Sequence, residues 1–419
     1  LLVARAAACT IVSSSARNRG HDSRVFSVAR IEKPRRSRAP WLCSALLTLA
    51  LSSLAPACIT PPQVPNSGAA KSNAGAAPLA AKVTSDLEAW AAAEQMGPGI
   101  NIGNTLDNTT KWETGWGNPP ITEGYVRALA ALGFRTVRLP VAWDTYAVDG
   151  RIQPEKLARV GEVVDWIIKA GMFCVVDIHW DGGWIDSSNK EHFADTFATF
   201  SPAAEKKYRA YWTQISTFFA GRNQQLLFEA LNEETKFDNA GTPQQAYATL
   251  THVNQLFIDT VRSTGGNNAK RLLVVTGYAT DITKTSSLDY LLPRDTPPHR
   301  LFISVHYYTP WPFVGMTEDA SWAKMAATWG SASDVAELNR LFDMMADFCT
   351  RNDTPAFIGE FGVTPKKEAE SRVRWMSAVG KAALTRKMVP VLWETGADIS
   401  RSAPYAASPA LQEALQKMK

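Results

Sequence analysis

Between residues 99 and 393 the chain repeats one pattern eight times: a short, almost uninterrupted apolar run, then a stretch with helical spacing. The runs are 99–103, 134–139, 173–178, 226–230, 272–276, 301–305, 356–359 and 389–393. Continuous Val/Ile/Leu/Phe strands, rather than alternating ones, belong to parallel sheets covered by helices on the outside. Helical spacing fills the gaps at 121–132, 155–170, 203–220, 246–264, 334–350 and 366–386. Thr122 stands at a helix-cap position, and Gly133 and Gly171 stand where helices would stop before a strand. Eight such units predict an α/β chain closed as a (β/α)₈ TIM barrel. An open doubly wound sheet tolerates the same alternation. It wants a phosphate-binding glycine turn after its first strand, and "NIGNTLDN" (101–108) lacks that spacing.

Three segments follow. Residues 1–58 read as a leader: "KPRRSRAPWLCSALLTLALSSLAPAC" (33–58) runs from basic to apolar to small residues, with Ala55 and Ala57 at a cleavage site. Cys58 stands where a lipid anchor would be attached, and the apolar stretch 41–54 is too short for a transmembrane segment. Residues 59–84 read as a flexible Pro/Ala/Gly/Ser-rich linker, and 85–419 as the catalytic domain. The expectation is a bacterial protein secreted or held at the outer cell surface, and a monomer. The net charge of +4 comes from the leader, where residues 1–60 carry +7 and the rest −3. With no basic stripe on the folded part, nucleic-acid binding loses its electrostatic basis. Cys174 in a strand and Cys349 in a helix read as buried free thiols.

In a barrel the strands' C-terminal ends carry the site. Those ends here are Arg138, His179 with Trp180, Asn232 with Glu233, His306 with Tyr308, Glu360, and Trp393 with Glu394. Singly each has a structural reading; together they sit at one level around one cavity. Glu233 and Glu360 suit acetal hydrolysis, which needs one protonated carboxyl and one ionised carboxylate. Arg138 would hold Glu360 ionised, while partial burial and a like-charged neighbour would keep Glu233 protonated. Metal catalysis is the competing reading. The histidines are few and scattered and no H-E-x-x-H occurs, so neither metal nor cofactor is expected. A G-x-S-x-G for an esterase is absent too.

The segments "NIGNTLDNTTKWETGWGNPP" (101–120), "GFRTVRLPVAW" (133–143), "VVDIHW" (175–180), "FEALNE" (228–233), "SVHYYTP" (304–310), "FIGEFG" (357–362) and "VLWETG" (391–396) together resemble glycoside hydrolase family 5. The resemblance spans roughly residues 95–400. It implies a retaining endo-β-1,4-glucanase acting on cellulose and related β-glucans, with a mannanase or xyloglucanase on the same frame as the alternative. It implies Glu233 as acid/base and Glu360 as nucleophile, with carboxyls about 5–5.5 Å apart. Arg138, His306 and Tyr308 would support them. His179, Asn232 and Trp393 would bind the sugar at the cleaved bond. Trp112, Trp116, Trp180, Trp184 and Trp311, on loops, would stack further rings of the β-1,4-linked polysaccharide. Glu229 and Asp177 resemble buried scaffold carboxylates. The chain departs from the family pattern at Glu234, where proline is usual, and at Glu394–Thr395–Gly396, where Asp-Asn-Gly is frequent. Glu234 would add negative charge beside Glu233.

Overall fold

The computed structural model describes residues 86–179, 200–233 and 242–418. The leader and linker, Trp180, Trp184 and Glu234 lie outside the described residues. The eight apolar runs form strands β1 (Gly99–Asn101), β2 (Thr136–Leu139), β3 (Phe173–Asp177), β4 (Leu226–Glu229), β5 (Leu273–Thr276), β6 (Leu301–Tyr307), β7 (Ala356–Phe361) and β8 (Val389–Leu392). Each pairs in parallel with its sequence neighbour, and β1 pairs with β8, closing a barrel. The surrounding helices include α2 (Glu123–Ala131), α3 (Pro154–Lys169), α4 (Pro202–Phe219), α5 (Pro243–Ser263), α6 (Ala332–Asn352) and α7 (Ala369–Thr385). The unit between β5 and β6 carries a 3₁₀ turn, Tyr278–Thr280, and the short α-helix Ile282–Thr285. Thr122 caps α2 by accepting from the Tyr125 amide at 3.1 Å. Gly133 (φ +98°) and Gly171 (φ +82°) make the left-handed exits that an L side chain resists.

The inside of the barrel is layered. Phe173, Val175, Leu227, Val274, Phe302, Phe357, Val389 and Val391 form an apolar plug, and Ala89, Ala92, Ala93 and Met96 of a further helix, α1 (Ala89–Met96), pack against it. Two residues further along their strands, the same inward positions switch chemistry. Val175 is followed by Asp177, Leu227 by Glu229, and Phe302 by Ser304 and His306, all buried. Strand periodicity of two carries one row from hydrocarbon into polar groups. The site therefore stands on a rigid apolar base. Cys174 and Cys349 are buried and free, as expected.

Candidate active site

Arg138 is the centre of the polar layer and is fully buried. Nε donates to Glu229 Oε2 at 2.5 Å, and one terminal nitrogen donates to Glu360 Oε1 at 2.9 Å and Asn101 Oδ1 at 3.1 Å. The other donates to Asn232 Oδ1 at 2.9 Å and lies 2.9 Å from Asp177 Oδ2. Burying a guanidinium costs several kcal/mol unless it is paired and its donors are used. Three carboxylates and two amides meet that need. Ser304 Oγ takes Glu229's remaining oxygen at 2.7 Å, so Glu229 is saturated by scaffold partners.

Glu360 reaches this layer through an irregularity. Val305 pairs with Ile358 but His306 with Glu360, so Gly359 is an extra residue in β7. A Cβ on Gly359 would lie 3.0 Å from Ser304 Oγ and 3.1 Å from His306 Nε2. Only glycine lets the bulge pass under the imidazole and turn Glu360 inward. Its oxygens are held separately, Oε1 by Arg138 and Oε2 by the Tyr308 hydroxyl at 2.9 Å. Burial and the two neighbouring glutamates push the Tyr308 phenol well above its ordinary value, so it stays a donor.

Glu233 lies four residues past the end of β4, with its side chain 39% exposed. His306 Nδ1 is 2.7 Å from Glu233 Oε1 and 3.7 Å from Glu360 Oε2. One ligand atom from each of Glu233, His306 and Glu360 lies within 4.8 Å of the others. The imidazole's Nε2 is buried without a partner. A proton there would be left unbonded, so it belongs on Nδ1, where it donates to the Glu233 carboxylate. The expectation is a carboxyl that burial and a like charge hold protonated; this hydrogen bond instead favours the carboxylate form, so the proton is held less tightly. Burial does push its carboxyl up, but the His306 hydrogen bond and the positive charges of His179 and Arg138 bring it below the usual value. Glu360, the like-charged neighbour, is already compensated by Arg138.

Because Arg138 donates to Asn232 Oδ1, the amide's orientation is fixed and its NH₂ is the end left to meet a ligand hydroxyl. His179 Nδ1 bonds Asp177 Oδ2 at 2.9 Å, and its ring stacks on Trp393 with centroids 5.9 Å apart and planes 7° apart. Gly103 makes room for the indole: a Cβ there would stand 3.0 Å from two of its ring carbons. Burial alone would lower the His179 pKa, but Asp177 outweighs it and raises it to about 9. The ordinary value is near 6.5. Folding therefore takes up a proton at His179, and its contribution is complete below about pH 6.5. It is lost as pH rises through about 9, on the order of 3 kcal/mol in all. Thermal unfolding of the intact protein and of His179→Asn should differ widely at pH 6 and converge by about pH 9.5. A gap independent of pH would refute the charged imidazole.

The remaining aromatic positions separate. Trp311 is 44% and Trp116 46% exposed. Trp311 meets Tyr308 edge-on, with ring centroids 6.5 Å apart. Trp112 is half-buried, edge-on to Tyr146 at 4.4 Å with the Lys156 ammonium over its ring, so it is built into its loop. Glu113 in that loop is buried and bound by Arg159. Glu394, a strand-end residue and a departure from the family pattern, supports the site through its loop. Buried, it accepts from the amides of Gly396, Asp398 and Ile399 and from Arg401, organising the loop after Trp393. Its sequence signal was an acidic residue two places before a glycine turn. Asp107 works alike, accepting from the Asn104 and Thr105 amides, and burial raises its pKa.

Glu233, His306 and Glu360 are spaced to hold a cation. Their atoms are already engaged with one another, with Tyr308 and with Arg138, whose charge 2.9 Å from Glu360 opposes a cation there. The arrangement offers two carboxylates across a gap, one bonded by Arg138 and the other part-exposed to solvent.

Comparison with known proteins agrees with this layout. A family model described as cellulase (glycosyl hydrolase family 5) matches residues 97–398. An endoglucanase A from Paenibacillus barcinonensis is 33% identical over 352 residues, 74% of this chain and 84% of its own length. A xyloglucan-specific endo-β-1,4-glucanase from Bacteroides ovatus is 30% identical, covering 74% and 66%. Among solved structures, a broad-specificity endoglucanase from Ruminococcus champanellensis with bound cellotriose superposes with a TM-score of 0.69 at 28% identity, over 81% of this chain and 99% of its own. A Bacteroides ovatus xyloglucanase with a XXXG heptasaccharide gives 0.70 at 27% identity, over 82% and 80%.

Proposed function

The chain belongs to glycosyl hydrolase family 5, and from that premise we propose that it is a retaining endo-β-1,4-glucanase with Glu360 as nucleophile and Glu233 as acid/base. The observation that carries this is the carboxylate pair, with oxygens within 4.8 Å and unequal partners. Retaining glycosidases hold their carboxyls about 5–5.5 Å apart, while inverting ones leave room for a water.

In the first step a Glu360 oxygen attacks the anomeric carbon as Glu233 gives its proton to the departing glycosidic oxygen. In the second, Glu233 takes a proton from water, and that water displaces Glu360. Arg138 and Tyr308 each bond one oxygen of the nucleophile, keep it aimed, and receive it back as a leaving group. His306 donates to Glu233 in its carboxylate form, which serves the second step. Trp393 and His179 give the reacting sugar a flat support, and the Asn232 NH₂ meets a hydroxyl on it.

Cellulose-type β-1,4-glucan is the proposed main substrate. Xyloglucan is a second reading, favoured by the similarity to the Bacteroides ovatus enzyme. The run 33–58 supports export, and among the described residues no helix is long and apolar enough to cross a membrane.

The test is product release from carboxymethylcellulose, barley β-glucan, xyloglucan, xylan and galactomannan, with the anomer first formed read by NMR. Chain-internal cleavage of a β-glucan giving the β-anomer is expected. An α-anomer would overturn retention, and exclusive cleavage of galactomannan would overturn the glucan assignment.

A further inference from the structure

After β6 the chain does not turn straight into a helix. Residues 308–331 first form an arm at the end of the barrel that carries Glu360. The short helix Trp311–Val314 begins it, and a tight turn follows, closed by Ala320 N donating to Ala323 O at 3.0 Å. Asp319 pins that turn by accepting from the Met325 amide at 2.9 Å and Lys324 Nζ at 2.8 Å. At its tip stands Trp322, 66% exposed.

The arm is fastened at several points. Ala326 N donates to Pro312 O at 3.0 Å, and Thr364 N to Val314 O at 2.9 Å. Lys367 comes from the segment that follows β7, the nucleophile strand. Its side chain is buried, and Nζ donates to Ala326 O at 2.7 Å and Pro312 O at 3.3 Å. Neither partner is a carboxylate, and burial lowers the ammonium's pKa. A buried cation held by two carbonyls is a costly tie. Here it joins both ends of the arm to the strand that presents Glu360.

We propose that Trp322 is an outlying platform on which a β-1,4-linked glucan chain stacks, beyond the sugar at the cleaved bond. This rests on the endoglucanase reading above and extends it. An indole at the tip of a pinned turn gains nothing for the core, and the turn holds it in a fixed place. It is not part of an apolar patch: Thr317, Glu318, Asp319, Ser321 and Lys324 around it are all exposed. A protein partner would want a contiguous apolar surface. A sugar ring has one apolar face rimmed by hydroxyls, and a single indole among polar groups matches that. Trp322 shares its arm with Trp311, whose ring meets Tyr308, and the Tyr308 hydroxyl bonds Glu360.

The platform serves chains long enough to reach it, so its loss acts through substrate length. For Trp322→Ala, the ratio of kcat/KM on barley β-glucan to kcat/KM on an aryl β-cellobioside is expected to fall about threefold to tenfold, the loss residing in KM for the polymer. Trp322→Phe should recover most of it, since it restores a flat face. The exposed position makes misfolding no obstacle, and equal melting temperatures would document that. An unchanged ratio while the intact enzyme cleaves β-glucan would overturn the platform alone. So would a fall that Trp322→Phe does not recover. No cleavage of any glucan by the intact enzyme would overturn the endoglucanase reading, and the platform with it.

Discussion

Glu360→Ala is expected to lower kcat on β-glucan roughly 10⁶-fold, the scale of loss when a covalent nucleophile is removed from a hydrolase. The protein should remain as stable as before. Arg138 faces three carboxylates, Glu229, Asp177 and Glu360, so removing one leaves the guanidinium still paired at both other sites. The variant removes a negative charge from a cluster with a surplus of them, and the melting temperature should hold or rise. That separates loss of chemistry from loss of fold. The truncated side chain also leaves a space beside Arg138 and Tyr308 that a small anion fits. Azide should restore part of the turnover, attacking the anomeric carbon once and giving an α-configured glycosyl azide. Turnover within about tenfold of the intact enzyme would remove Glu360 from the nucleophile role.

The barrel was legible because its strands are near-continuous apolar runs and helices α2 and α3 end at glycines with positive φ, Gly133 and Gly171. Both are local signals. The site was legible at the level of residue type, since polar groups at strand ends share one end of a parallel barrel. Two things were not legible. The protonation bias of Glu233 depends on which nitrogen of His306 has a partner, a contact between β6 and a loop 73 residues earlier in the chain. The inward turn of Glu360 depends on the extra residue at Gly359, which a pattern of apolar letters does not register. The loop-organising role of Glu394 was hidden for a similar reason: its partners there are backbone amides, and a backbone amide leaves no trace in residue identity. Sequence exposes side-chain chemistry and hides pairing geometry.

The two carboxylates should fail differently when removed, and that contrast tests the roles more sharply than either loss alone. Glu233→Ala is expected to lower kcat on β-glucan about 10²–10⁴-fold, the usual worth of proton transfer to a poor leaving group. An aryl β-cellobioside with an acidic phenol needs no such proton. Glu360 can still displace the phenol, so the variant should release a stoichiometric burst and then stall, because no base activates water against the glycosyl-enzyme. Glu360→Ala should show no burst. Azide should relieve the stall in Glu233→Ala and give a β-configured product, the opposite of the Glu360→Ala outcome, since two displacements have occurred. pH adds an independent sign. In the sugar-free protein His306 draws Glu233 toward its ionised form. As pH rises, the acid needed for polymer cleavage is lost first. In the intact enzyme the alkaline limb of kcat/KM should therefore lie at lower pH on β-glucan than on the aryl substrate, and replacing Glu233 should abolish that difference. Coincident limbs on both substrates, or a burst from Glu360→Ala in place of Glu233→Ala, would exchange or dissolve the two assignments.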